Sequence, residues 1–128
     1  MMKVLLGALS GALLLAAGSA FAAPQIQYVA TPAGNVMADQ RGMVLYTWDR
    51  DTAGASTCTG TCLTNWPLFK AAATDTPGGD WTIITRADGE RVWAYKGKAL
   101  YYYIQDTAPR DIKGNQPTGT WHVIVQGM

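Results

Sequence analysis

Apolar and polar positions alternate along this chain in short runs, and Gly or Pro interrupts them every eight to twelve residues. Alternation with a period of two is the signature of a pleated strand, whose successive side chains point to opposite faces. The runs are rich in Val, Ile, Thr, Tyr and Trp, which fit a half-buried pleated surface. No long stretch carries the i, i+3, i+4, i+7 spacing of an amphipathic helix. The pattern predicts an all-β domain of about eight short antiparallel strands. They fall at Ile26 to Ala30, Val36 to Ala38, Met43 to Trp48, Trp66 to Phe69, Trp81 to Arg86, Glu90 to Tyr95, Lys98 to Ile104 and Thr120 to Gln126. In the third, Val44, Tyr46 and Trp48 share one face, and Met43, Leu45 and Thr47 the other. In the seventh, Tyr101 and Tyr103 oppose Leu100, Tyr102 and Ile104. Both of its faces are apolar, which makes it a central strand. Asp88-Gly89 and Lys96-Gly97 supply hairpin turns, which need positive φ.

The same pattern occurs twice. Shifting the chain by 55 residues puts Gly42 on Gly97, Leu45 on Leu100 and Tyr46 on Tyr101. Asp51-Thr52-Ala53 falls on Asp106-Thr107-Ala108, and Trp66 on Trp121. Trp48 meets Tyr103. Two copies are too few for a solenoid, so the expectation is one domain, 23–128, closing as a pseudo-twofold sandwich or barrel. Its repeats run over about 36–80 and 81–126.

The first residues change the picture. Lys3 precedes an apolar run, Val4 to Ala17, and Ala20-Phe21-Ala22 forms an A-x-A cleavage site. This predicts a secretory signal peptide, residues 1–22. The run is shorter than the roughly 20 residues of a spanning helix, and no later run is long enough. No cysteine lies near the cleavage site, so no lipid anchor is expected. The expected location is periplasmic or secreted. Removing Lys3 leaves nine Lys and Arg against nine Asp and Glu. That balance offers no electrostatic reason for a nucleic-acid or anionic-membrane partner.

Tyr46-x-Trp48-x-x-Asp51 and Tyr101-x-Tyr103-x-x-Asp106 both read Tyr-x-aromatic-x-x-Asp. Around them stand Ser56-x-Cys58-x-Gly60-x-Cys62, Trp66-Pro67, the Arg86-Ala87-Asp88-Gly89 turn and Gly97-x-x-Leu100-Tyr101. Over Val36 to Val125 the chain resembles the bacterial secreted-repeat family of unknown function, predicted lipoproteins carrying that repeated motif. The resemblance implies no particular activity. This chain departs from many members in lacking the lipidated cysteine.

Cys58 and Cys62 are the only cysteines, in a chain expected to be exported, where disulfides persist. Closing so short a loop contributes about 2 kcal/mol. Positions i and i+4 of a regular helix hold their Cβ atoms about 5–6 Å apart, against about 3.8 Å in a disulfide. A turn at Gly60 is therefore expected there, and not a helix. A redox pair or thiolate metal ligation are the alternatives. The repeated Asp51 and Asp106 read as Asx-turns at a strand exit. Asp49, Asp51 and Gly54 match part of a calcium loop, but the acidic twelfth position is missing. Tyr46, Trp48, Tyr101 and Tyr103 should gather on one side near the pseudo-twofold, as core or as an aromatic pocket. His122 is the only histidine and reads as surface. No nucleophile elbow, phosphate loop or dinucleotide fingerprint is present. The carboxylate pairs Asp106/Asp111 and Asp49/Asp51 lie in polar loops.

These readings favour an exported, non-enzymatic β-domain that binds an envelope protein or small ligand, with no cofactor and no catalytic residue. The alternative is a metal- or redox-handling periplasmic protein using Cys58, Cys62 and His122.

Overall fold

The computed structural model describes residues 23–128; the expected signal peptide lies outside the described residues. Among the described residues, seven strands and one short helix follow in order. They are β1 (Ile26–Thr31), β2 (Gly34–Asp39), β3 (Tyr46–Trp48), α1 (Thr61–Asn65), β4 (Trp81–Thr85), β5 (Arg91–Tyr95), β6 (Lys98–Ala99) and β7 (Trp121–Val123). The domain is all-β. Its sheets are antiparallel, in the orders β1-β2, β3-β7 and β4-β5-β6, and they do not close into a barrel. Lys96 and Gly97 turn the β5–β6 hairpin with φ of 50° and 85°, the two positive values a two-residue turn requires.

β1 and β2 run longer than the alternation predicts, while the runs at Met43 to Trp48, Lys98 to Ile104 and Thr120 to Gln126 are cut short because each changes partner part-way. Val44 bridges Ala38, the Leu45 amide donates to Met37, and Tyr46 bridges Tyr101 and pairs with Val123. One continuous extended run thus serves three neighbours. Trp66 to Phe69, expected as a strand, makes a single bridge from Leu68 to Tyr101, and Lys70 bridges Val92.

These bridges exchange the copies. Val125, at the end of copy two, bridges Val36 of copy one, and Lys70, its counterpart 55 residues earlier, bridges Val92 of copy two. The Met37 amide donates to the Ile124 carbonyl at 2.9 Å, and Trp93 donates to Phe69 at 3.0 Å. Reciprocal contacts of this kind are what a twofold axis imposes. Each hairpin sheet is completed by the final segment of the other copy.

The core has the same symmetry. One cluster holds Val36 with Val92, Ala38 with Ala94, Tyr46 with Tyr101 and Trp66 with Trp121. On the opposite faces of the same strands lies a second cluster, Met37, Leu45, Trp93 and Leu100. Strands buried on both faces explain why their sequences read as continuous apolar runs.

Candidate functional site

Tyr46 and Tyr101 sit side by side on the bridge that joins the copies. Each amide donates to the other's carbonyl, at 2.8 and 2.9 Å. Both phenols are buried, and both need an acceptor. Each finds it in the other copy: Tyr46 donates to Asp106 Oδ2 at 2.6 Å, and Tyr101 donates to Asp51 Oδ2 at 2.6 Å. The second oxygen of each carboxylate gathers the loop that follows it. Asp51 Oδ1 accepts the Thr57 amide and hydroxyl, both at 2.8 Å, and Asp106 Oδ1 accepts the Lys113 amide at 2.9 Å. The carboxylates do receive backbone N–H groups, but six and seven residues on and not at Asx-turn range. The phenols also accept: the Gly114 amide donates to Tyr46 at 3.2 Å. Ser56 Oγ lies 2.8 Å from Tyr101 Oη. Because the Tyr101 proton points to Asp51, the Ser56 hydroxyl is the donor in that pair.

Burial, and then the adjacent carboxylate, pushes both phenols well above the ordinary tyrosine value. Burial also raises the Asp106 carboxyl, against the opposing bonds from Tyr46 and Lys113. Desolvation disfavours the charged form of each group, and because a phenol is by nature a far weaker acid than a carboxyl, the proton stays on the phenol.

Against these pairs lies an aromatic stack. Trp48 stacks on Trp121 at 5.2 Å between centroids, Trp121 on Trp66 at 3.8 Å, and Trp66 on Tyr103 at 4.3 Å. The two central indoles are parallel to within 1°. Tyr46 meets Trp66 edge-on at 5.3 Å, and Tyr101 meets Trp121 at 5.1 Å. Both are favourable T-shaped geometries. The inner indoles are buried, while Trp48 and Tyr103 at the ends are partly exposed. All six motif residues, Tyr46, Trp48, Asp51, Tyr101, Tyr103 and Asp106, therefore meet around the line relating the two copies.

A family model described as "secreted repeat of unknown function" matches twice, over residues 27–70 and 82–125. The chain belongs to this family. Each matched block of the secreted repeat starts in a hairpin, passes through one Tyr-x-aromatic-x-x-Asp motif and ends in the exchanged segment. No curated protein and no solved structure matches.

What the two secreted-repeat copies do not share lies outside the motif. Cys58 and Cys62 form a disulfide with Cα atoms 5.4 Å apart. Cys62 lies within the five-residue α1, which begins just past Gly60 at φ 59°, so a helix stands where only a turn was expected. Cys58 lies before that glycine, and the pair never occupies i and i+4 of one regular helix. Bonding to each other removes both sulfurs from thiolate ligation. His122 pairs with Asp49, Nε2 to Oδ2 at 2.9 Å. Among the described residues no three His, Cys, Asp or Glu side chains form a metal-holding group, so His122 and the cysteines are not gathered into one ligand set. Asp111 caps its own loop, accepting the Thr107 and Ala108 amides, and its negative charge adds to the rise of the Asp106 carboxyl.

Two groups make contacts that no sequence pattern marked. Arg86 is buried and donates to the Ser56 carbonyl and hydroxyl, the Cys58 carbonyl and Asp88. It ties the disulfide loop to the β4–β5 turn and, through Ser56, to Tyr101. Its position in a hairpin turn gave no sign of this. Asp39 is likewise buried, and accepts from Tyr102, the Arg41 guanidinium, and the Arg41 and Met43 amides. Burial acts to raise its carboxyl, but those bonds outweigh it and hold it below the usual range. Burial and the same carboxylate push the Tyr102 phenol up to about 12. Arg41, Tyr102, Phe69, Lys70, Asp75 and Trp93 line much of a surface cleft of about 430 Å³.

Proposed function

We propose that this chain is an exported, non-enzymatic binding module of the bacterial envelope, one domain built of two secreted repeats, acting through a surface cleft. The observation that carries this reading is the internal use of both Tyr–Asp pairs of the motif. Both Tyr–Asp pairs hydrogen-bond across the copies and shape loops, and the tryptophans between them are buried. A carboxylate with both oxygens accepting from fixed internal donors has no oxygen facing a bound substrate. The cleft beside Asp39 differs: it combines aromatic faces with side chains of both signs, a lining suited to a small polar ligand with a planar part. Family membership supports secretion, and no described helix is long and apolar enough to cross a membrane.

Native mass spectrometry of protein purified from the envelope without chelator tests the reading. A retained small molecule, lost on Lys70→Ala or Arg41→Ala with the fold intact, is the expected result. Turnover of a generic hydrolase substrate that disappears with Asp51→Asn or Asp106→Asn would overturn it. Free-thiol and elemental analyses of the same sample separate it from a thiolate-metal role.

A further inference from the structure

The stack and the Tyr–Asp pairs together hold two things that one-electron oxidation of a tyrosine requires. The first is a route for the electron. Trp48, Trp121, Trp66 and Tyr103 lie in series with 3.8 to 5.2 Å between adjacent centroids. Rings in van der Waals contact exchange electrons readily, and a stacked indole pair shares the positive charge left behind. Both ends of the series are partly exposed, and both inner rings are buried. The second is a fixed base. An oxidised phenol becomes a strong acid and must lose its proton as the electron leaves. Tyr46 and Tyr101 each already point that proton at a carboxylate oxygen 2.6 Å away. Each phenol also touches one of the two central indoles. Core packing alone explains buried rings. It does not require that two of the three phenols donating to a carboxylate be the two in edge contact with the central indoles; the third, Tyr102, donates to Asp39 and packs on Phe69, away from the stack.

We propose that the doubled motif is a one-electron relay, in which the stack carries oxidising equivalents inward and the Tyr–Asp pairs hold them. A one-electron oxidant of the high-valent metal or oxygen-radical class takes one electron from the stack at Trp48 or Tyr103 and is itself reduced by one electron. The vacancy moves to Trp66 or Trp121. Tyr46 or Tyr101 then gives up one electron to the indole, and its phenolic proton crosses to Asp106 or Asp51. The products are a neutral tyrosyl radical and a protonated aspartic acid, with no atom gained or lost. A one-electron donor of the ascorbate or hydroquinone class returns the electron, and the carboxyl returns the proton. The dry surroundings of the pair make this short transfer favourable, because a charged phenol is never formed. This inference rests on the interior and is independent of what occupies the cleft.

Flash oxidation tests it on the mature chain with its disulfide intact. The oxidant is photogenerated ruthenium(III) tris-bipyridine, read by transient absorption and by freeze-quench electron paramagnetic resonance. The expected result is an indole radical that decays as a phenoxyl radical grows, at a rate independent of protein concentration. In the Asp51→Asn/Asp106→Asn variant the indole radical still forms, and phenoxyl growth slows about tenfold or more, a barrier rise of about 1.4 kcal/mol. Tyr28→Phe/Tyr95→Phe, which removes two peripheral phenols, leaves the signal unchanged. If the carboxamide variant does not fold by near-ultraviolet circular dichroism, Trp66→Phe and Trp121→Phe carry the same expectation. Undiminished phenoxyl growth in the folded carboxamide or Trp→Phe variants overturns the relay. So does a signal that vanishes with Tyr28→Phe/Tyr95→Phe, or an indole radical that decays without phenoxyl.

Discussion

Replacing Tyr46 with Phe removes one oxygen and keeps the ring, so contacts with Trp66 and Tyr103 survive. Two bonds are lost. The bond to Asp106 is charge-assisted and contributes about 1.5–3 kcal/mol, and the buried Gly114 amide loses its acceptor at a cost of about 1 kcal/mol or more. The sum is about 3 kcal/mol. Tyr101→Phe removes the equivalent bond to Asp51, but that carboxylate keeps two donors from Thr57, and Ser56 keeps Arg86. Its cost is about 2 kcal/mol. Each kcal/mol moves Tm by about 4–8 °C in a domain of this size. Urea unfolding followed by tryptophan fluorescence, with the disulfide intact, ranks the two variants. The pH dependence gives a second check. Burial raises the Asp106 carboxyl and the Tyr46 bond opposes that rise, so Tyr46→Phe lifts it further. A native carboxyl above its unfolded value binds more protons than the unfolded chain, so stability falls as pH rises through that window. The deficit of Tyr46→Phe should therefore shrink on acidification, as Asp106 becomes protonated. A deficit below about 0.5 kcal/mol, one that does not change with pH, or a larger loss in Tyr101→Phe would refute the reasoning.

Gly114 lies under the stack, and a Cβ there would stand 2.6 Å from Trp66 Cη2 and 2.8 Å from Tyr103 Cγ. Gly114→Ala should destabilise by about 1–3 kcal/mol and alter the near-ultraviolet circular dichroism of the indoles. Arg86→Leu strips donors from the Ser56 and Cys58 carbonyls, and should lower stability by about 3 kcal/mol in denaturant titrations. Asp39 has its carboxyl held low in the native state, so its contribution is present above the unfolded value and is lost as pH falls through the native one. Asp39→Asn should flatten the acid limb of the stability profile measured by thermal unfolding. Cys58→Ser/Cys62→Ser should remain folded at a cost of about 2 kcal/mol, with amide exchange quickened in 52–65 and unchanged in β5.

Much of the architecture was legible because it is written twice. The 55-residue shift marked Gly, Leu, Tyr, Asp and Trp as one set, and alternation assigned the two faces of Val44 to Tyr46 and Leu100 to Tyr103 as the two core clusters show them, whereas Ile104, assigned to the face of Leu100 and Tyr102, is exposed. Sequence identity between copies, however, does not say whether Tyr46 bonds its own Asp51 or the other copy's Asp106. Both choices leave the same residues in the same order. The local rule for Asp at a strand exit favours an Asx-turn, and it misses a phenol 60 residues away in the chain. Arg86 was hidden for a related reason: in a hairpin turn a charged residue is expected in solvent, and only tertiary packing shows that it reaches Ser56 and Cys58. The runs at Met43 to Trp48, Lys98 to Ile104 and Thr120 to Gln126 were overestimated because periodicity records an extended chain, whereas a ladder needs one partner throughout.

The two copies differ in spacing in a way that shows what the exchange demands. Val29 pairs with Val36 in the first hairpin of copy one, seven residues on, and Ile84 pairs with Val92 in copy two, eight residues on. In the next turn the difference reverses: Ala38 bridges Val44 across six positions, and Ala94 pairs with Ala99 across five. The insertion and the deletion cancel before Leu45 and Leu100. Cancellation is necessary, because a slip of one residue turns every later side chain to the opposite face. That slip would send Tyr46 or Tyr101 away from the shared cluster and leave a buried carboxylate in the other copy without its donor. Turns in one copy are thus free to change only in compensating pairs. The loop from Asp49 to Asn65 faces no such restriction beyond Asp51, and it is there that copy one carries the disulfide and receives Arg86. The symmetric interior fixes the register, and the differences between the copies collect in the turns and loops where register is not at stake.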